Sequence, residues 1–404
     1  MLSVKEAREQ ILSHFQPVDP TALTLLESAG RILAEPIVAK IDLPSFDNSS
    51  VDGFAVRAAD VAEAPVSLLV RGDIPAGAPS KVTLKAGECA RIMTGAPIPP
   101  GADAVVMVED TDFSSRDAGI PPPRRVTISK PVPAGENTRR QGADVRAGQE
   151  ILASRHRLKA QDIGLLAMLG IPEVRVFRRP HVAILSSGDE IISLDAPLKN
   201  GKVRDSNSHS LTILATETGA ETINLGIASD HPAAIKKLLD QAVSKKVDAI
   251  VSSAGVSVGA FDYVKQVVES QGSLDFWKVD MRPGKPLAFG QYRGIPFFGL
   301  PGNPVSAFIG FLVFISPALE KLSGAEASAR KIFRVKLAEM VESDGRESYL
   351  RAMVTFENNS AVARLTGHQA SSNMLSLVRA NALLIIPSGV KSVPPGEEVD
   401  AWLL

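Results

Sequence analysis

Between Val182 and Leu322 short apolar runs alternate with amphipathic stretches, and no other feature restricts the fold of this chain as much. Val182 to Leu185, Thr222 to Gly226, Ala249 to Ser252 and Phe297 to Leu300 have the length and composition of strands. Helices are expected near Ser208 to Thr218, Pro232 to Val243 and Val305 to Leu322. Right-handed crossovers between such elements build a parallel sheet with helices on both faces. Ligands of these sheets sit beyond the carboxyl ends of the strands, so the loops there are where chemistry is sought.

A chain of 404 residues is more than one core organises, since single cores stop growing at about 250–300 residues. An α/β multidomain protein is therefore expected, with the parallel-sheet domain over 176–325. Residues 1–49 and 140–175 read as a discontinuous helical and linker region. It holds an amphipathic helix over Met1 to Phe15, a second helical turn around Ala22 to Leu33, and an extended Pro36 to Ala39. Short β runs such as Val66 to Val70 and Ala104 to Val108, broken by Gly72, Gly77, Gly87 and Gly101, mark 50–139 as a β-rich insertion. Its polar Ser114 to Arg125 reads as an exposed hairpin tip with no role. Over 326–404 the runs Phe333 to Leu337, Tyr349 to Thr355, Ala361 to Arg364, Ala382 to Ile386 and Glu398 to Trp402 fit a terminal β-barrel.

Composition excludes several function classes. With 44 basic against 45 acidic residues, no global field draws the chain to nucleic acid or to an anionic membrane. A single cysteine, Cys89, precludes an internal disulfide and suits a reducing compartment, so a cytoplasmic location is expected. The N-terminus mixes Lys5, Glu6, Arg8 and Glu9 among its apolar residues, unlike a secretory signal. The longest apolar run, Ala307 to Ala318, is too short for a bilayer, and no membrane span is expected. Six scattered histidines lack metal-ligand spacing, and no Gly-x-Ser-x-Gly elbow or cysteine-nucleophile signature is present.

Three segments carry the residue types that anions require. Ser186-Ser187-Gly188-Asp189-Glu190 follows the first strand; small residues let backbone N–H groups approach an anion, although Ser-Gly-Asp is also ordinary turn chemistry. Ser252 to Gly259 follows the third strand and leads to Asp262, placed as a metal ligand, a base or a plain helix cap. That stretch lacks the Gly-Lys-Ser/Thr ending of a P-loop. Trp277 to Pro286 holds Lys278, Arg282 and Lys285 on a rigid loop stiffened by prolines, as either a fixed oxyanion site or a solvated charge patch. Gly299 to Ser306, with Pro301 and Pro304, again joins a strand to a helix. Carboxylates that could serve Mg2+ are Asp52, Asp144, Glu190, Asp205, Asp230 and Asp262, because that ion takes a few carboxylates together with waters and phosphate oxygens.

In their order along the chain these segments resemble the molybdopterin molybdenumtransferases, the MoeA family, whose relatives include the C-terminal domain of gephyrin. The N-terminal pieces that carry the likeness are Asp47 to Val56, Arg91 to Pro97, Gly101 to Val106, Glu136-Asn137 and Arg139 to Asp144. Further on they are Ser186 to Glu190, Arg204-Asp205-Ser206-Asn207, Gly255 to Tyr263, Arg282 to Pro286 and Leu300 to Ser306. The resemblance implies a homodimer acting on adenylyl-molybdopterin: molybdate enters the dithiolene, AMP leaves, and Mg2+ is required. It implies that Ser187, Gly188, Ser253, Gly255, Ser257 and Gly259 cradle phosphates, with Ser186, Asp205, Ser206, Asn207 and Val256 as further substrate contacts. Glu190, Asp230 and Asp262 would handle metal and proton transfer, and Lys278, Arg282 and Lys285 would neutralise phosphate or bind molybdate. Asp52, Thr94 and Asp144 would complete the catalytic set, and Pro301, Pro304 and Ser371 would touch substrate.

Departures from the family pattern are small. Arg282 stands where many relatives have lysine, which replaces a point charge by a planar fork. Ser187 and Ala254 replace a threonine and a glycine. The same likeness leaves two alternatives, a molybdopterin adenylyltransferase, which shares the α/β domain, and a gephyrin-like scaffold; the additional arms and barrel favour the insertion enzyme. The adenylyltransferase and other proteins of the same pathway are the expected partners.

Overall fold

The computed structural model describes residues 1–113, 115, 120–254, 260–325, 331–357 and 360–404. The chain divides into two compact units, one of 1–35, 155–160 and 173–404, the other of 36–154 and 161–172.

The first unit is built on a six-stranded sheet. In chain order its elements are β1 (His181–Ser187), α1 (Asn207–Glu217), β2 (Glu221–Ala228), α2 (Pro232–Ser244) and β3 (Ala249–Ala254). They continue with α3 (Ala260–Gln271), β4 (Gly272–Lys278), β5 (Pro286–Tyr292), β6 (Ile295–Leu300) and α4 (Pro304–Leu322). The spatial order is β2-β1-β3-β6-β5-β4. Strand β1 runs parallel to β2 and β3, and β3 parallel to β6. The chain leaves β1 for one neighbour and later returns to the other side, which opens a crevice at the carboxyl ends of β1 and β3.

The sheet is mixed, which corrects the expected all-parallel one, because β5 pairs antiparallel with both β6 and β4. Arg293 and Gly294, at φ 48° and 81°, make the two-residue hairpin that joins β5 to β6 and sets Tyr292 opposite Ile295. A turn with positive φ at both central residues matches the right-handed twist of its strands.

Side-chain alternation along the strands separates two cores. Val182, Ile184, Ala249 and Val251 face α1, α4 and the N-terminal helix Val4–Ser13. Ala183, Leu185 and Ile250 face α2 and α3. The N-terminal helix starts at a capping box of Ser3 and Glu6 and buries Val4, Ala7 and Ile11. The expected second helical turn over Ala22 to Leu33 is instead a strand, Pro20–Thr24, paired antiparallel with Glu173–Phe177 and followed by a turn. β-Branched Thr21 and Thr24 favour that extended form, and tertiary pairing overrides the helical spacing. Helix α4, whose first residue is Pro304, spans 19 residues with mean hydropathy 1.7, long and apolar enough to cross a bilayer, contrary to the shorter reading of this run. It is 83% buried within the fold and serves as a core helix.

The C-terminal strands close on themselves. Glu347–Glu357 pairs with Ser360–Leu365 and with Ala382–Ile386, Ile332–Leu337 pairs with Ser360–Leu365 and with Glu398–Leu403, and the last strand returns to Ala382–Ile386. Closure gives each of these five strands a neighbour on both sides, and Val335, Leu350, Ala352, Leu384 and Ala401 fill the interior.

The second unit carries a five-stranded sheet in the order Ala104–Met107, Gly53–Val56, Glu88–Ile92, Val66–Ile74, Arg125–Ile128. Of the hairpin tip expected at Ser114 to Arg125, positions 114 and 116–119 lie outside the described residues. Gly53 explains part of the Asp52-Gly53-Phe54 signature: a Cβ there would lie 1.9 Å from the carbonyl oxygen of Val106 on the neighbouring strand. Gly53→Ala is expected to destabilise this unit by about 1–3 kcal/mol or more, the usual cost of overpacking. A lower midpoint in urea unfolding checks this; an unchanged midpoint would contradict so close an approach.

Candidate active site

The crevice at the ends of β1, β3 and β6 is lined by polar side chains that are buried yet incompletely bonded. Ser186 and Ser187 close β1, and on β3 Ser252 lies opposite Leu185 and Ser253 opposite Ser186; all four serines are nearly inaccessible. Ser186 and Ser253 point to the face that α1 covers. There the Ser186 hydroxyl donates to Asp205 Oδ1 at 3.0 Å, which also accepts from the N–H of Ser208 at 3.1 Å. Asn207, at the start of α1, donates from Nδ2 to Ser253 Oγ at 2.7 Å and to the Gly302 carbonyl at 2.8 Å. One amide thus fastens the β3 and β6 ends together. Ser206 occupies the N-cap position without a side-chain cap and is exposed.

Ser187 Oγ, Ser252 Oγ, Asn207 Oδ1 and Asp230 Oδ1 are buried without a hydrogen-bond partner. Leaving such an atom unpaired costs about 1–3 kcal/mol; Ser187 and Ser252 turn to the α2 and α3 face and Asn207 lies on the α1 face, so both sides of the β1 and β3 ends carry groups that a polar ligand can satisfy. Of the segment after β3, Gly255, Val256, Ser257 and Gly259 lie outside the described residues. Asp262 falls in the first turn of α3, and its side chain also lies outside the description.

Carboxylates gather on the two loops beside β1. Gly188, at φ 142°, lets the half-buried Glu190 fold back so that its carboxylate lies against the glycine Cα; a Cβ there would be 2.8 Å from Glu190 Oε2. Asp230 lies across from it after β2, tied to Asp189. No group of three metal-binding side chains is assembled among the described residues, and of the expected set Glu190, Asp230 and Asp262 the structure describes the side chains of the first two. Hard oxygen donors with one orphaned carboxylate oxygen still fit Mg2+, which commonly keeps waters and binds through one or two carboxylates.

Trp277 to Pro286 is not a single loop. Lys278 ends β4 opposite Pro286, Lys285 is exposed and gives its carbonyl to the N–H of Val279, and Met281–Arg282 adds in parallel to Glu347–Ser348 of the barrel. Arg282 lines an open pocket of about 400 Å3 with Glu342, Leu365, His368, Gln369 and Ala370. Behind it lies Arg351, fully buried, donating from Nε to Ser376 Oγ and from Nη2 to the Ala370 carbonyl, each at 3.0 Å. Its Nη1 has no partner, and burial together with the nearby Arg282 charge pushes the guanidinium down to about 10. Ser371, next to Ala370, accepts at its carbonyl from the N–H of Val305 at 3.1 Å. The barrel segment is thereby joined to the Pro301–Pro304 turn, in which Pro301 is buried and Pro304 opens α4.

In the second unit Asp52 Oδ1 accepts from both the N–H and the hydroxyl of Thr94, at 2.7 and 2.8 Å. The two segments that carry them are zipped together by main-chain bonds from Ser49 to Ala96, Gly95 to Ser49 and Ile98 to Asp47. Asp144 is paired instead with Arg139, both half exposed. Burial raises the Cys89 thiol to about 12, which removes it as a nucleophile.

The chain is 39% identical over 392 residues to a molybdopterin molybdenumtransferase from a Nostoc species, covering 94% of this chain and 88% of that one. It is 35% identical to the protein of that name from Haemophilus influenzae, covering 99% and 98%. The chain belongs to the MoeA family. Models for the MoeA N-terminal region (domain I and II), a probable molybdopterin binding domain and the MoeA C-terminal region (domain IV) match residues 2–170, 183–321 and 334–404 of it. A solved molybdopterin biosynthesis MoeA protein from Pyrococcus horikoshii superposes with a TM-score of 0.85 at 33% identity, over 100% of this chain and 99% of that one.

Two residues of this MoeA chain escaped the sequence reading. Ser208 sits beside residues that were read, with no signal to separate it. Arg351 lies alone in a barrel strand, and only the fold brings it to Ala370. The Asn207 clamp is directly testable. Asn207→Leu removes two hydrogen bonds and is expected to destabilise the first unit by about 1–3 kcal/mol, seen as a lower urea midpoint; a midpoint equal to wild type would show that the clamp carries no energy.

Proposed function

We propose that this chain is a molybdopterin molybdenumtransferase that inserts molybdate into adenylyl-molybdopterin and releases AMP. The observation that carries this reading is the set of buried, unpartnered polar atoms at the β1 and β3 ends, with Glu190 and Asp230 on the loops beside β1. A phosphate chain fits such a place because hydroxyls and main-chain N–H groups of small-residue loops can approach its oxygens. Relatives along the whole chain bear the same name.

In this mechanism Ser187, Ser253 and the Gly188 loop hold the phosphates, together with Gly255, Val256, Ser257 and Gly259. Glu190, Asp230 and Asp262 would hold Mg2+, which would offset phosphate charge and polarise the bond to be cleaved. Arg282 offers charged donors to the molybdate oxyanion, and Lys278 and Lys285 add positive potential. Asp52, Thr94 and Asp144 are the catalytic residues that the family likeness implies in the second unit. The active form is a homodimer in the cytoplasm, a reading supported by the family likeness and by the lone cysteine.

Purified protein incubated with adenylyl-molybdopterin, Mg2+ and molybdate is expected to release AMP and to retain molybdenum on the pterin. Asp262→Ala should slow that release by about 100-fold or more, as expected for loss of an acid–base or metal-handling group. AMP release that ignores both molybdate and the substitution would remove the transferase reading.

A further inference from the structure

We infer that Asp189, which is not a member of the proposed catalytic set, is a positioning residue that presents Asp230 to the divalent cation; the inference rests on the proposed use of Mg2+. The loop after β1 and the turn after β2 are stitched by three hydrogen bonds. Gly188 N–H donates to the Ala228 carbonyl at 3.1 Å, Asp189 N–H donates to Asp230 Oδ2 at 3.3 Å, and Asp230 N–H donates to Asp189 Oδ1 at 3.1 Å. The two aspartates therefore hold each other reciprocally, side chain to main chain. Lys202 fixes the outer side by donating from Nζ to the Asp189 carbonyl at 2.5 Å.

This geometry divides the work between the two carboxylates. Two like charges on adjoining loops repel, and an N–H donor to each offsets part of that cost. Asp189 is exposed and spends Oδ1 on the backbone of Asp230. Asp230 spends Oδ2 on the backbone of Asp189 and keeps Oδ1 buried with no partner. A free carboxylate side chain would rotate that oxygen toward water. The reciprocal pair holds it beside the loop that carries Glu190.

The role belongs to the acceptor oxygen of Asp189 and not to its charge, so asparagine should replace it and alanine should not. Mn2+ binding, followed by electron paramagnetic resonance on the purified full-length protein, reads this without turnover. Asp189→Ala is expected to weaken Mn2+ binding about 10–100-fold, the usual effect of removing a group that orients a metal ligand. Asp189→Asn should bind close to wild type, and matched melting temperatures will show that both variants are folded. Asp189→Ala binding as tightly as wild type, or Asp189→Asn binding as weakly as Asp189→Ala, overturns the positioning role. Asp230→Asn marks the other failure: if it keeps wild-type affinity, the cation is not held by Asp230, and the metal assignment falls together with the inference. If it loses affinity while Asp189→Ala does not, only the inference falls.

Discussion

Parallel strands that end together expose their last side chains to one another, and in this protein the amide of Asn207 keeps those ends in register. It draws Ser253 of β3 and Gly302 beyond β6 to the start of α1. Asp205, two residues earlier, does the same for Ser186 of β1. Three strand ends are thus held by one short segment, Asp205 to Ser208, and the loops that carry the remaining polar groups inherit their positions from it. A site built on strand ends and a helix start is held more closely than one built on free loops.

The fold accepts energetic costs around this clamp. Buried hydroxyls and a carboxylate oxygen go without partners, and a guanidinium is enclosed at the barrel with its Nη1 unpaired. Stability alone would favour apolar residues at such positions, since a well-packed apolar replacement for a buried charge is often neutral or stabilising. On the proposed function an anionic ligand would offset the cost of the hydroxyls, whose O–H groups can donate to its oxygens, and a cation would offset that of the carboxylate oxygen. The barrel contributes through the Ala370-Ser371 segment, whose carbonyls meet Arg351 and Val305.

Much of this was legible in the sequence where local pattern and tertiary role coincide. The strand–helix rhythm from β1 to α4 is carried by apolar periodicity, and the Ser186 to Glu190 and Asp205 to Asn207 segments stand at its loops. The hairpin of β5 and β6 was not legible, because its turn is Arg293-Gly294 and β5 lies beside a proline-rich segment. Ala22 to Leu33 misled because its apolar spacing suits a helix while its partner, Glu173–Phe177, lies far along the chain. Arg351 and the orphaned Ser252 owe their character wholly to burial, which no local pattern encodes. The reciprocal bond between Asp189 and Asp230 spans 41 positions and is equally silent in the sequence.

The central claim is that the polar atoms at the strand ends are kept for the phosphates of the substrate. Amide hydrogen exchange with and without AMP and Mg2+ tests it most directly, since AMP is the stable fragment that carries one of those phosphates. The account predicts slower exchange in 186–190, 205–208 and 301–305 when AMP is present. Exchange in these segments that does not respond to AMP, with protection confined to other surfaces, would contradict it.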